Sequence, residues 1–183
     1  LEGWAPGDNG LIHTQITNNP ATFRFAAKKP NAMNFPNRSE DAQQLRQMVI
    51  PGSGYQYIVS RDYRGIEAIQ VGIYAGDSEY ERLARFGIHT FMAAKFAKLD
   101  VEVSWSDEDL IAALNVYKGV TQNMRMGSAS DANLYDSMKR GNHMTNYGAT
   151  SGMLQMSYPE LFPKRKDAQA VQDFIFDLFP KIK

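Results

Sequence analysis

A chain of 183 residues with 43% hydrophobic and 22% charged content is that of a folded globular protein of about one domain and a fraction. Lys and Arg number 20, as do Asp and Glu, so global charge gives no sign of a nucleic-acid partner, and the absence of cysteine excludes disulfides and thiolate metal sites. No apolar run approaches the roughly 18 residues of a membrane span and no basic-then-apolar leader is visible, so the expectation is a cytoplasmic protein with no membrane partner.

Residues 1–19 are rich in turn signals, with one short strand expected over 11–16. Residues 39–48 read as a helix with Ser39 as N-cap and Glu40 and Asp41 in its first turn. After the Pro51-Gly52-Ser53-Gly54 turn, residues 55–62 have strand-forming character and end in Asp62. A carboxylate on a rigid strand tip, with the next peptide carbonyl at Tyr63 beside it, suits Mg²⁺, which prefers hard oxygen ligands. A helical pattern starts at Ile66 and stops at Gly76, Asp77 and Ser78 cap a helix over 79–86, and a third helix follows Gly87 with His89 near its start. Free backbone N–H groups and the helix dipole favour an anionic ligand there. Ser106 opens a further helix through Tyr117, and a polar stretch over 127–130 follows. Over 135–154, Lys139, His143, Tyr147 and Ser151 recur every four residues and so fall along one face of a helix. Gly141 and Gly148 inside it each cost about 1 kcal/mol relative to Ala, which argues against a purely structural helix. The cations are unevenly spread: Arg24, Lys28, Lys29, Arg38, Arg46, Arg61 and Arg64 lie in one third of the chain.

Asp62-Tyr63-x-x-Ile66-Glu67 resembles motif A of the family A DNA polymerases, Asp-Tyr-Ser-Gln-Ile-Glu. Upstream, Thr22-Phe23-Arg24-Phe25-Ala26-Ala27-Lys28-Lys29-Pro30-Asn31-Ala32-Met33-Asn34-Phe35-Pro36-Asn37-Arg38 resembles the family's Thr-Gly-Arg-Leu-Ser-Ser-x-x-Pro-Asn-Leu-Gln-Asn-Ile-Pro-x-Arg, without a gap. Arg46-Gln47-Met48-Val49-Ile50-Pro51 and Ile88-His89-Thr90 match in the same order. Lys139, His143, Asn146-Tyr147-Gly148 and Gly152 follow the spacing of the family's O helix, and Phe179-Pro180-Lys181-Ile182 resembles its Phe-Pro-Lys-Val.

The resemblance implies roles. Asp62 would bind two Mg²⁺ ions, with the Tyr63 carbonyl on one of them, and Glu67 would exclude a ribose 2′-OH. Arg24 would hold the primer through the minor groove, with Lys28 and Asn34 also at DNA. Lys139, His143, Arg140 and His89 would hold the triphosphate of an incoming dNTP, and His143 would also protonate the leaving pyrophosphate. Tyr147 would stack on the nucleotide, and Ser151 stands where the family has a Tyr shaping the base-pair pocket. Three O-helix side chains depart: Lys139 for Arg, His143 for Lys, Ser151 for Tyr. None of His13, His89 or His143 is followed by Asp-Glu, so motif C, with its second carboxylate, has no counterpart here, nor has most of the thumb. The chain opens with Leu1 rather than Met, which points to a piece of something longer. The expected fold is α+β, a partial polymerase right hand with a few antiparallel palm strands and mostly helical fingers. Residues 1–98 would be the first part of the palm, 99–134 an insertion, and 135–183 the fingers. The implied activity is template-directed DNA synthesis on primer–template DNA, completed by a second polypeptide supplying thumb and motif C. The alternative is a non-catalytic module binding primer–template or a replication partner.

Overall fold

The computed structural model describes residues 6–18, 25–34, 40–47, 49–59, 61, 63, 65–126 and 133–183, which divide into two compact units, 1–61 and 62–183.

In the first unit, β1 (Gln15–Thr17) pairs antiparallel with β2 (Ala26–Lys28), Ile16 opposite Ala27. The Thr14 hydroxyl donates to the Pro30 carbonyl at 2.6 Å and ties the strand entrance to the segment leaving β2. A 3₁₀ turn, Ala32–Asn34, and helix α1 (Glu40–Gln47) follow, the latter with Glu40 and Asp41 at its dipole-positive end as expected. Residues 55–59 differ from expectation: they form no strand, and Tyr55, Tyr57 and Val59 are 77%, 79% and 75% exposed. Strand propensity is realised only against a paired, half-buried neighbour, and the described residues supply none.

The second unit is helical: α2 (Ile66–Ala75), α3 (Ser78–Phe86), α4 (Ile88–Phe96), α5 (Asp107–Asn123), α6 (Leu134–Asn146), α7 (Ser151–Ser157) and α8 (Arg165–Leu178), closed by a 3₁₀ turn at Pro180–Ile182. The caps are those the sequence marks. The Asp77 carboxylate accepts from the Tyr80 N–H at 3.0 Å, and the Ser106 hydroxyl from the Asp109 N–H at 3.1 Å. α5 runs six residues beyond the expected Tyr117, with the Thr121 hydroxyl donating back to the Tyr117 carbonyl. Nearly all of α4 is buried, as a helix apolar on most of its circumference must be; Ile88, Phe91, Met92, Ala93 and Ala94 pack among α3, α5 and α6. Leu110, Leu114, Met138, Leu154, Phe162, Val171 and Ile175 complete one core.

The helix expected over 135–154 is two helices. Gly148, at φ +74°, ends α6 in a backbone conformation that side-chain-bearing residues avoid, and the Thr150 hydroxyl then caps α7 by accepting from the Met153 N–H. Gly141 is structural as well: a Cβ there would lie 2.5 Å from Val171 Cγ1, so its absence lets α8 close on α6. Both glycines thus have structural reasons, against the inference drawn from their helix cost.

Candidate active site

Three helices of the second unit converge on one cluster. The left-handed turn at Gly65 leads into α2, placing Glu67 in its first turn. Gly87 ends α3, with its N–H donating to the Leu83 carbonyl at 2.8 Å, and its own carbonyl accepts from Thr90 to open α4, so His89 falls in the first turn. α6 packs against α4 and α2 and brings Lys139 and His143, one turn apart, to these two residues. His143 Nδ1 lies 3.5 Å from Glu67 Oε2, and the two side chains are 45% and 36% exposed. The Tyr147 ring meets the His143 ring edge-on, with centroids 5.0 Å apart and planes at 64°. Glu67, His89, Lys139, His143 and Tyr147, singled out from separate stretches of sequence, are therefore neighbours.

Burial pushes the His89 pKa down to about 4, and the nearby Lys139 and His143 push the same way. At neutral pH this imidazole is uncharged: it can offer one N–H or one lone pair to a ligand, but no charge. Lys139 is exposed and brings its ammonium group to the cluster. His143 supplies a cation only when protonated.

The other expected residues stand differently. Arg140 lies over the Tyr158 ring, its Cζ 5.3 Å from the centroid. Ser151 is buried, 3% exposed, and its hydroxyl accepts from Arg165 Nε at 3.3 Å. The break at Gly148 removes it from the four-residue series and turns it into the core. Tyr63 is 80% exposed. In the first unit Lys28 is exposed at the end of β2, and Asn34 closes the 3₁₀ turn. Asp62 and Arg24 lie outside the described residues.

Behind the cluster is a polar network that sequence reasoning missed. The Tyr80 hydroxyl, on α3 and fully buried, donates to Asn142 Oδ1 at 3.0 Å and accepts from Asn146 Nδ2 at 2.9 Å. Burial pushes its pKa up, the two amide contacts work against that, and the Asp77 charge adds to it. The network holds the last turn of α6, from which Tyr147 leaves. The Asn142, Asn146 spacing of four residues was its one sequence signal; the partner on another helix had none. Among the described residues no group of three or more His, Asp or Glu gathers where a metal could be held; Asp62, the carboxylate expected to hold Mg²⁺, lies outside them. No helix among those residues is long and apolar enough to cross a membrane.

The fold defines a class: a mostly helical arrangement with a small open two-stranded antiparallel sheet, in keeping with part of the palm and fingers of a right-hand polymerase. Among solved structures, the POL domain of Pol1 from M. smegmatis, in complex with DNA primer-template and dNTP, matches with a TM-score of 0.64 over 96% of this chain and 26% of that one. At 20% identity this is a likeness of fold alone.

In sequence, the DNA polymerase I proteins of Mycobacterium bovis and Mycobacterium tuberculosis (strain H37Rv) are each 29% identical to the chain over 90 residues. That stretch is 48% of this chain and 10% of either relative, so the match spans about a tenth of the curated relatives' length. No family model matches the chain. There is thus a distant sequence and fold match to the polymerase domain of family A DNA polymerase I over part of its length.

Proposed function

We propose that the chain acts in template-directed DNA synthesis as the palm and fingers part of a divergent family A DNA polymerase. A second polypeptide or segment would supply the thumb and motif C. What carries the reading is the meeting of Glu67, His89, Lys139, His143 and Tyr147 around one cluster, in a fold that matches a polymerase domain over 96% of the chain. On this reading residues 1–98 belong to the palm, 99–134 are an insertion, and 135–183 belong to the fingers.

Lys139 and protonated His143 would hold the triphosphate, neutral His89 would add one hydrogen bond, and Tyr147 would stack on the base. Arg140, next to Lys139 in sequence and held over the Tyr158 ring, would add positive charge at longer range. Ser151, buried and tied to Arg165, would act indirectly rather than by touching the nucleotide. Arg24, Lys28 and Asn34 would grip primer–template DNA. The primer 3′-OH would lose its proton to solvent as its oxygen bonds to the α-phosphorus, in line with the breaking bond to pyrophosphate, and His143 would deliver a proton to that leaving group. Asp62 and the Tyr63 carbonyl would serve two Mg²⁺ ions only together with a carboxylate from outside this chain; those ions would supply charge stabilisation for the transfer.

A second reading, a non-catalytic module that holds primer–template, is favoured by buried Ser151 and neutral His89, which thin the anion-holding surface. Primer extension with Mg²⁺ and dNTPs decides between them, using this chain alone and then with the chains that co-purify with it. Extension in the mixture that Asp62→Ala abolishes is expected; intact primer–template binding without extension would leave the second reading.

A further inference from the structure

We propose that the cations gathered around α7, from α6 and from the start of α8, form a binding surface for single-stranded nucleic acid, in addition to the residues assigned above to primer–template DNA. The surface lies wholly within residues 62–183, and neither catalysis nor a second polypeptide is needed for it. The chain as a whole is electrically neutral, with 20 cations against 20 anions, so a cluster of one sign is a local concentration and not a bulk excess. Lys164, Arg165 and Lys166 are consecutive and exposed. Arg140, partly exposed, arrives from α6.

α7 sets the spacing of these groups. The Ser151 hydroxyl, at its first residue, accepts from Arg165 Nε at 3.3 Å. Just past its last residue, the Tyr158 ring lies under Arg140, with Cζ 5.3 Å from the centroid. Ser151 and Tyr158 are seven residues apart and so share one side of the helix, which the two arginines meet at points roughly 10 Å apart. The chain between them is fixed. The Leu161 and Phe162 N–H groups donate to the Tyr158 carbonyl at 3.1 and 2.9 Å, Gln155 Nε2 donates to the Pro163 carbonyl at 3.2 Å, and Phe162 is fully buried. The backbone that carries the cations is thus ordered before any ligand arrives, which lowers the entropy lost on binding.

The cations stand where they disfavour the fold. Lys164 precedes α8 and Arg165 and Lys166 open it, at the dipole-positive end of the helix, which repels them. No carboxylate pairs with Arg140, Lys164, Arg165 or Lys166 among the ion pairs of the described residues. Mutual repulsion without internal compensation is relieved by an external anion that spans several of these groups. Phosphates along one strand do so. The flat groups among the cations separate this partner from other polyanions: bases stack on aromatic rings and on guanidinium planes, and Tyr158 and Arg140 offer one of each. An acidic polypeptide would use the charges alone. An anionic membrane would call for an amphipathic helix laid along it, and α7 has seven residues. A duplex presents phosphates but keeps its base faces stacked, so it would use less of this surface than a single strand.

Fluorescence anisotropy of a labelled oligothymidylate of about 20 nucleotides, with a duplex of the same length beside it, tests this on the full chain. Replacing Lys164→Gln, Arg165→Gln and Lys166→Gln together is expected to weaken oligothymidylate binding about tenfold or more at roughly 0.1 M salt, and to make the dependence of log affinity on log salt shallower by about 2, for three lost phosphate contacts. Duplex binding is expected to fall by about threefold or less. Lys164→Gln with Lys166→Gln leaves Arg165 on Ser151; it is expected to lose roughly threefold or more while its urea midpoint is no lower than that of the wild type, since two cations leave the dipole-positive end. Equal losses for single strand and duplex overturn the inference, as does an unchanged salt dependence. Displacement of the oligothymidylate by polyglutamate at equal charge overturns it in favour of an acidic polypeptide. Primer extension does not enter these readouts, so the polymerase reading stands or falls separately.

Discussion

His89 and His143 lie in one cluster yet follow different proton chemistry, because one is walled in and the other faces water. For His89 the pKa is about 4 in the folded chain against about 6.5 in the unfolded one. The unfolded chain therefore binds the proton first, so the stability this residue contributes is whole above about pH 6.5 and drains away as pH falls towards 4. Discounted for the imidazole's remaining contact with solvent, the loss is about 1–2 kcal/mol. Urea unfolding at about pH 7 and about pH 5 should show a larger loss in the wild type than in His89→Gln; equal losses would remove this account of the residue. On the proposed polymerase reading, the Tyr147 hydroxyl, absent from the Phe of the resembled motif, would occupy the space of a missing 3′-OH. Tyr147→Phe is thus expected to increase discrimination against dideoxynucleotides by roughly tenfold or more in the assembled polymerase. Equal discrimination by both forms would count against a role for this ring at the sugar.

At the scale of elements, the α6–α8 contact sets where the cluster stands, since α6 carries Lys139 and His143 and leads directly into Tyr147. Gly141→Ala would force a methyl against Val171 Cγ1 at 2.5 Å. Overpacking of this kind costs about 1–3 kcal/mol, and the better helix propensity of Ala returns about 1 kcal/mol of it. Gly141→Ala is expected to lower stability in urea, and Val171→Ala in the same chain to recover part of the loss; a double mutant as unstable as the sum of the singles would refute the contact. This element also shows what could be read in advance. The beginnings and ends of α2, α3 and the start of α5 were legible because Gly76, Asp77 and Ser106 act locally, on backbone groups within a few residues. The four-residue series over 139–151 was legible only as far as Tyr147. Periodicity does not register that Gly148 takes a left-handed conformation, and so it kept Ser151 on a face it does not share. Over its described residues 55–59, the strand expected for 55–62 failed for the opposite reason: they have the propensity but no partner among the described residues. Tyr80 stayed hidden because its partners, Asn142 and Asn146, are separated from it by more than 60 residues.

Across the whole molecule the described apolar core belongs to one of the two units. Every buried hydrophobic residue among those described, apart from Ala27, lies in residues 62–183, whereas the described part of residues 1–61 holds two three-residue strands, a 3₁₀ turn and one short helix. A two-stranded pairing of that size is marginal in water, while a helical core with Tyr80, Phe91 and Phe162 fully buried has the apolar burial of an independent domain. A protein cut before residue 62 should therefore keep a cooperative urea transition, with stability within about 1–2 kcal/mol of the full chain. The isolated 1–61 piece should show none. The cut chain would also retain the Glu67–His143 pair and the depressed His89 pKa, since each arises within residues 62–183. If it instead binds a hydrophobic dye and melts without cooperativity, then α2 through α8 need the preceding residues to pack, and the cluster is a property of the entire chain rather than of its helical unit.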